Sequence, residues 1–319
     1  MTEAGSLKLG VLAWNQFTDW PSLRDAGVRA DELGYDSLWT WDHLYPIVGD
    51  PNGPMLEGYT TLAAWAALTK RITLGLMVGA NTFRNPALVA KMVTTLDHVS
   101  GGRAYLGIGG AWFETEHRAF GIEFGNSPGE RLRWFDEAVE LIRGMLDGEE
   151  ASARGEFYAA ENVRNNPKPL QSRLPILIGG SGERKTLATV ARYADAWNTG
   201  GDIERVRHKD AVLRRWCEEV GRDHSEIERT LQGGSVVLRD TVEEAQKAGQ
   251  KIAEHNGLPD WSGRPETPEM TAERLLPQVE LGFHHVYFDL PAPYDAETLE
   301  RLVGEVKPLL ERGVAKPTA

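Results

Sequence analysis

Residues 72–110 read ITLGLMVGANTFRNPALVAKMVTTLDHVSGGRAYLGIGG. Two short apolar runs, 72–78 and 104–109, flank an amphipathic stretch at 86–98. The runs hardly alternate with polar residues. A strand apolar on both sides of its pleat is covered on both faces, the condition of parallel strands flanked by helices. Pro86 suits the first turn of the intervening helix. Gly79 follows the first run, and Gly109 and Gly110 close the second.

The unit repeats outward in both directions. Upstream lie strands at 7–13 and 37–41, with helices at 21–34, stopped by Gly34, and at 59–69. Downstream comes a long helix at 128–147. Ser127, Pro128 and Glu130 read as its capping box. Leu132, Phe135, Val139, Ile142 and Leu146 recur along it at steps of three and four, and Gly148 ends it. Strands follow at 175–180, 195–200, about 230–238 and 285–290. Helices follow at 183–193, 203–220, 241–254, 269–281 and 295–311. Eight strand–helix units with no Pro/Gly/Ser linker predict one domain over 1–319, an α/β fold of the (β/α)8 TIM-barrel type with insertions. A doubly wound open sheet is the alternative. Irregular segments are expected at 44–58, 110–127, 148–174 and 255–268. The first two follow strands, where a barrel builds its active face.

Bulk composition narrows the partners. The net charge of −12 over 319 residues repels phosphate backbones, which argues against nucleic acid. No apolar run reaches membrane-spanning length. The opening MTEAGSLKLG lacks the layout of a signal peptide. A single cysteine, Cys217, allows no internal disulfide. These features lead us to expect a cytoplasmic protein acting on a small molecule.

Three strands end in glycine: at Gly79, at Gly109 and Gly110, and at Gly179 and Gly180. Each could ease a tight turn. Together they suit something flat or phosphorylated lying close to backbone. GGSGERKT (179–186) leaves a strand and opens a helix, so its amides can hold an anion. It is not a Walker loop, a dinucleotide fingerprint or a nucleophile elbow. Asp42 and His43 end the second strand between Trp39, Trp41 and Tyr45. A histidine there can move protons near neutrality, or be a satisfied core residue. His98, His117, His284 and His285 read as structural, no zinc spacing occurs, and Cys217 reads as packing.

Four motifs, LWTWDHLYP (38–46), the stretch 74–117 ending in AWFETEH, NPKPLQSRLPILIGGSGERK (166–185) and YADAWNTGG (193–201), are similar to one known family. GFHHVYFDLP (282–291) is a weaker match. The chain resembles the bacterial luciferase-like flavoprotein superfamily, nearest to oxidoreductases dependent on coenzyme F420, a 5-deazaflavin. The resemblance implies a barrel with the ring buried at the C-terminal ends of the strands, and a homodimer. It implies F420 as cofactor, with FMN as the alternative, and His43 as the catalytic proton relay. It places Asp42, Met77, Val78, Gly79, Asn81, Gly109, Gly110, Ala111, Gly179, Gly180, Gly182 and Glu183 against the cofactor. It further implies a non-proline cis peptide at Met77–Val78. One departure stands out. Members that oxidise glucose 6-phosphate carry a catalytic glutamate at a place that falls near Trp112 here, which argues against that substrate, with Glu114 or Glu116 as the alternative acid. Trp14, Trp41, Trp112 and Glu116 are candidate substrate contacts, and the aromatic set suits an apolar, ring-like molecule or a packed core. An FMN-dependent monooxygenase, a non-catalytic flavin binder and a metallohydrolase built on Asp42 and His43 are the rival readings.

Overall fold

A computed structural model describes residues 6–314; the first five residues of the opening stretch lie outside it. Along the chain run β1 (Lys8–Ala13), α1 (Trp20–Leu33), β2 (Ser37–Thr40), α2 (Gly58–Leu68), β3 (Thr73–Leu76), β4 (Gly79–Ala80) and α3 (Pro86–Ser100). Then come β5 (Leu106–Gly109), α4 (Glu114–Phe120), α5 (Pro128–Asp147), β6 (Ala151–Arg154), β7 (Ala159–Val163), β8 (Ile176–Gly179), α6 (Thr186–Tyr193) and β9 (Ala196–Thr199). The last part holds α7 (Ile203–Val220), β10 (Glu228–Leu238), α8 (Val242–His255), β11 (Arg264–Glu266), α9 (Pro268–Glu280), β12 (His285–Leu290), α10 (Ala296–Arg301) and α11 (Lys307–Val314).

Local signals set the helix ends. Asp19 accepts from the Ser22 amide to start α1, and Gly34 stops it at φ 90°. Ser127 accepts from Glu130 N to start α5. The return arm of the expected capping box differs: Glu130 takes the Asn126 amide, one residue earlier.

The parallel strands run in the order β3-β2-β1-β12-β10-β9-β8-β5-β4. β3 and β4 are consecutive pieces of one stave, interrupted at Met77 and Val78. The ring closes where Leu74 bridges Ala104 beside the pairing of β4 with β5. The apolar runs thus form the expected (β/α)8 barrel. Leu12, Trp39, Trp41, Leu177 and Tyr287 fill its interior. A larger cluster seals the staves against the helices, with Trp65, Trp197 and Phe283 fully buried. A buried tryptophan removes on the order of 200 Å² from water, about 5 kcal/mol of transfer free energy. Cys217 is buried on α7, and burial pushes its thiol up.

A polar plug closes the N-terminal end of the barrel. Glu228 of β10 meets Lys8 of β1 at 2.7 Å, His285 of β12 at 3.4 Å and the Tyr105 hydroxyl at 2.9 Å. His285 and the Trp39 indole N–H share Ser37 Oγ.

The expected irregular segments carry structure of their own. Segment 148–174 contains the antiparallel hairpin β6–β7, 110–127 contains α4, and 255–268 contains β11. The helix expected from 183 begins at Thr186.

Candidate active site

The C-terminal ends of the staves surround a cavity of about 490 Å³, within the usual range for small-molecule sites. Glycine shapes its wall. A Cβ on Gly109 would lie 2.8 Å from Val78 Cγ2, and one on Gly179 2.9 Å from Val78 Cγ1. A Cβ on Gly107 would lie 1.8 Å from the Leu76 carbonyl oxygen. Two strand tips therefore close on the Val78 side chain, and the β3–β4 break packs directly on β5. Met77–Val78 is a non-proline cis peptide.

His43 enters this cavity from the end of β2. Its Nδ1 lies 2.8 Å from Glu116 Oε1, on α4. Glu116 is 1 % exposed, and its other oxygen accepts the Leu44 amide at 2.8 Å. Trp112 and Phe113 stand edge-on to the imidazole, at 5.6 and 6.1 Å. Among the described residues, His43 Nε2 has no hydrogen-bond partner. The neighbouring His117 faces away, held between Thr82 and the Phe113 carbonyl.

Asp42 turns to the β3–β4 side. Arg84 binds both its oxygens, at 2.7 and 2.9 Å, and Ala80 N donates to it at 2.8 Å. Arg84 also reaches Glu57 at 2.7 Å. Burial pushes the Asp42 carboxyl up, and the Arg84 fork opposes this. The donor set fits the ionised, paired form.

On the far side of the tips, Gly180 (φ 112°), Ser181, Gly182 and Thr186 line the cavity where α6 begins. Arg205 donates to Ser181 Oγ at 3.1 Å. Asn198, Gln232 and Tyr287 form a further polar wall. Asn198 Nδ2 donates to Thr230 Oγ1, and the Tyr287 hydroxyl donates to Asn198 Oδ1. Among the described residues, no lysine or arginine lines the cavity. Among the described residues no group of three or more His, Cys, Asp or Glu is arranged to hold a metal, and no helix is long and apolar enough to cross a membrane.

The model of the luciferase-like monooxygenase family matches residues 6–285. The chain belongs to that family. Within it, the chain is 30% identical to an F420-dependent glucose-6-phosphate dehydrogenase of Microbacterium testaceum, over 94% of this chain and 96% of the relative. The Nakamurella multipartita protein of the same name is 28% identical, over 89% and 90%. Among solved structures, an F420-dependent secondary alcohol dehydrogenase in complex with an F420-acetone adduct superposes with a TM-score of 0.78. It shares 18% identity, covering 98% of this chain and 100% of that one. A long-chain alkane monooxygenase matches equally well in fold, with a TM-score of 0.78 at 16% identity over 100% and 94%.

Within this luciferase-like barrel, most of the residues singled out from sequence converge. Asp42, His43, Trp41, Met77, Val78, Gly79, Gly109, Gly110, Ala111, Trp112, Glu116, Gly179, Gly180 and Gly182 all line the cavity. Three do not. The Glu183 carboxylate turns outward to Lys209 and His208. Asn81 is buried and reaches toward the Tyr158 hydroxyl at 3.4 Å. Trp14 stands behind Trp41, ring centroids 4.7 Å apart. Asp42 lines the cavity, but its carboxylate is engaged by Arg84. Arg84, Asn198, Gln232 and Tyr287 escaped the sequence reading, and Ser181 and Thr186 entered it only as part of the GGSGERKT loop. Arg84 lies inside the quoted NTFRNP, and Asn198 inside WNTGG, so proximity to a motif was their available signal.

Proposed function

We propose that this luciferase-like enzyme is a coenzyme F420-dependent oxidoreductase. It moves a hydride between the deazaflavin and an apolar or ring-containing organic substrate, with His43 relaying the matching proton. The observation that carries this reading is the His43–Glu116 pair beside a glycine-tipped slot. Near-full-length likeness to an F420-dependent dehydrogenase supports the choice of cofactor.

The residues present suit such a group. Gly109 and Gly179 leave no side chain between the strand tips and Val78, so a flat ring would find backbone and one isopropyl group there. Gly110 and Ala111 continue that surface. Gly180, Ser181, Gly182 and Thr186, with Arg205 behind Ser181, offer amides, hydroxyls and positive charge to an anionic tail. The bound deazaflavin supplies the hydride chemistry.

The chain's own groups supply the rest. Glu116 accepts from Nδ1–H of His43, which leaves the Nε2 lone pair facing the cavity. From there His43 takes a proton from a substrate hydroxyl, or returns it in the reverse direction. The Glu116 carboxylate stabilises the imidazolium that forms. Trp112 and Phe113 flank the imidazole edge-on, with Trp112 largely exposed. By the resemblance, Trp112 falls near the place of the glutamate used in glucose 6-phosphate oxidation, and among the described residues no lysine or arginine lines the cavity, Arg205 standing behind Ser181 at the tail end. These two features favour a substrate other than a sugar phosphate.

Titration of the intrinsic tryptophan fluorescence with F420 and with FMN tests the cofactor. We expect F420 to bind at least about tenfold more tightly, a difference of about 1.4 kcal/mol. Tighter binding of FMN would favour the monooxygenase reading and overturn this one.

A further inference from the structure

Gln232 enters the cavity wall from β10, and Asp289 stands beside it on β12. Residues two apart on a strand share a face. Tyr287 lines the cavity, so Asp289 points into the barrel as well. Its register partner on β1 is Leu12, another lining residue. Gln232 Nε2 donates to Asp289 Oδ2 at 3.2 Å. Asp289 Oδ1 is shielded from solvent and has no partner among the described residues.

A carboxamide has one donating and one accepting end. An ionised carboxylate only accepts, so it engages the donating end and leaves the amide oxygen to another group. Among the described residues, Gln232 Oε1 receives no hydrogen bond. The ring order sets β9 opposite β2, with β10 next to β9. Gln232, solvent-exposed at the cavity mouth, therefore stands on the side of the barrel across from the strand that carries His43.

We propose that Gln232, oriented by Asp289, recognises the substrate on the wall facing His43 by accepting a hydrogen bond from a hydroxyl or amino group remote from the reacting carbon. This rests on the F420-dependent reading above and names the substrate class for the same site. A carboxylate or phosphate on the His43 side of Gln232 would meet an acceptor with Asp289 behind it; among the described residues that side has no lining lysine or arginine, and Arg264 and Arg274 stand on the other side of Gln232. Gln232 touches the substrate. Asp289 is a positioning residue, acting through the amide.

The arrangement carries a pH signature. Burial pushes the Asp289 carboxyl up to about 6, and the Gln232 hydrogen bond works against that rise. Its register neighbours, Leu12 of β1 and Ser235 of β10, carry no charge. The Tyr287 hydroxyl, pushed well above its usual value by burial, stays neutral. Once protonated, Asp289 also donates and can pair with either end of the amide. Gln232 then loses its fixed orientation, and donor recognition weakens below about pH 6.

The test uses the full-length protein loaded with oxidised F420. Calorimetry measures the affinity of trans-1,4-cyclohexanediol, trans-4-aminocyclohexanol and trans-4-hydroxycyclohexanecarboxylate. We expect the diol and the amine to bind at least about tenfold more tightly than the carboxylate. Asp289→Asn and Gln232→Leu should each lose most of that preference, while the F420 dissociation constant moves less than about twofold. The wild-type affinity for the diol should drop severalfold between about pH 7.5 and about pH 5, with a flat profile in Asp289→Asn. The proposal is overturned if the carboxylate binds as well as the diol, if both variants keep the preference, or if no probe binds the loaded protein. Failure of F420 itself to bind counts against the cofactor reading. The same probes on the cofactor-free protein then decide for the wall on its own.

Discussion

Glu116 uses both carboxylate oxygens on the turn after β2, one on the His43 ring and one on the Leu44 amide. Glu116→Gln keeps the shape and removes the charge that fixes the tautomer and supports the imidazolium. We expect kcat to fall by about 100-fold, with F420 affinity changed by less than about threefold. Steady-state kinetics beside a fluorescence titration measure both; an unchanged kcat would show that His43 works without its carboxylate. At this scale the sequence was half readable. His43 was visible because it sits with Asp42 at the end of an apolar run. Glu116 lies 73 residues away, and no spacing rule joins a strand end to a separate helix. Glu183 misled for a related reason. The loop could be read as an anion cradle, but the side chain's exit toward Lys209 depends on where α7 packs.

Among elements, the third stave matters most for the site, because β3 breaks before β4 and packs its Leu76 carbonyl against β5. Gly107 permits that approach. Gly107→Ala places a methyl where no space exists, and we expect a loss of about 3 kcal/mol or failure to fold. Gly304→Ala is the contrast: apart from its chain neighbours and its own helix backbone, no atom of the described residues lies within 4 Å of its Cβ position. That exchange should raise stability by about 0.5–1 kcal/mol by restricting the unfolded chain. Urea unfolding of both variants checks the pair, and a Gly107→Ala protein as stable as the parent would refute the packing argument. The buried staves were legible because two-sided burial makes them continuous apolar runs. The hairpin β6–β7 was not. Its strands are largely exposed and polar, and its turn is held by Glu137, which accepts the amides of Glu156, Phe157 and Tyr158. Such contacts leave no periodic trace in the sequence.

For the molecule as a whole, the two ends of the barrel divide the work. The C-terminal end opens into the cavity, and the N-terminal end is shut by Glu228, His285, Lys8 and Tyr105. Burial acts to raise the Glu228 carboxyl, but His285 and Lys8 together hold it well below the usual carboxylate range. A carboxyl depressed on folding adds stability that is present above its unfolded value, about 4.3, and is lost as pH falls further. Glu228→Gln should therefore cost about 1–3 kcal/mol at neutral pH, with the gap to the parent narrowing below about pH 4. Urea midpoints at the two pH values measure it, and a gap independent of pH would remove the ion-pair explanation. The closed ring could be anticipated by counting strand–helix units. The plug could not, since Lys8, Glu228 and His285 come from three distant segments and meet only when β1, β10 and β12 align.

Cys217 brings a practical freedom. The chain's one thiol is buried on α7 and held protonated by its surroundings. Thiol-directed reagents therefore find no native target on the folded protein. A cysteine introduced at an exposed position such as Phe120 or Leu170 becomes a unique attachment point. A fluorophore or spin label placed there would report on the enzyme without any background mutation.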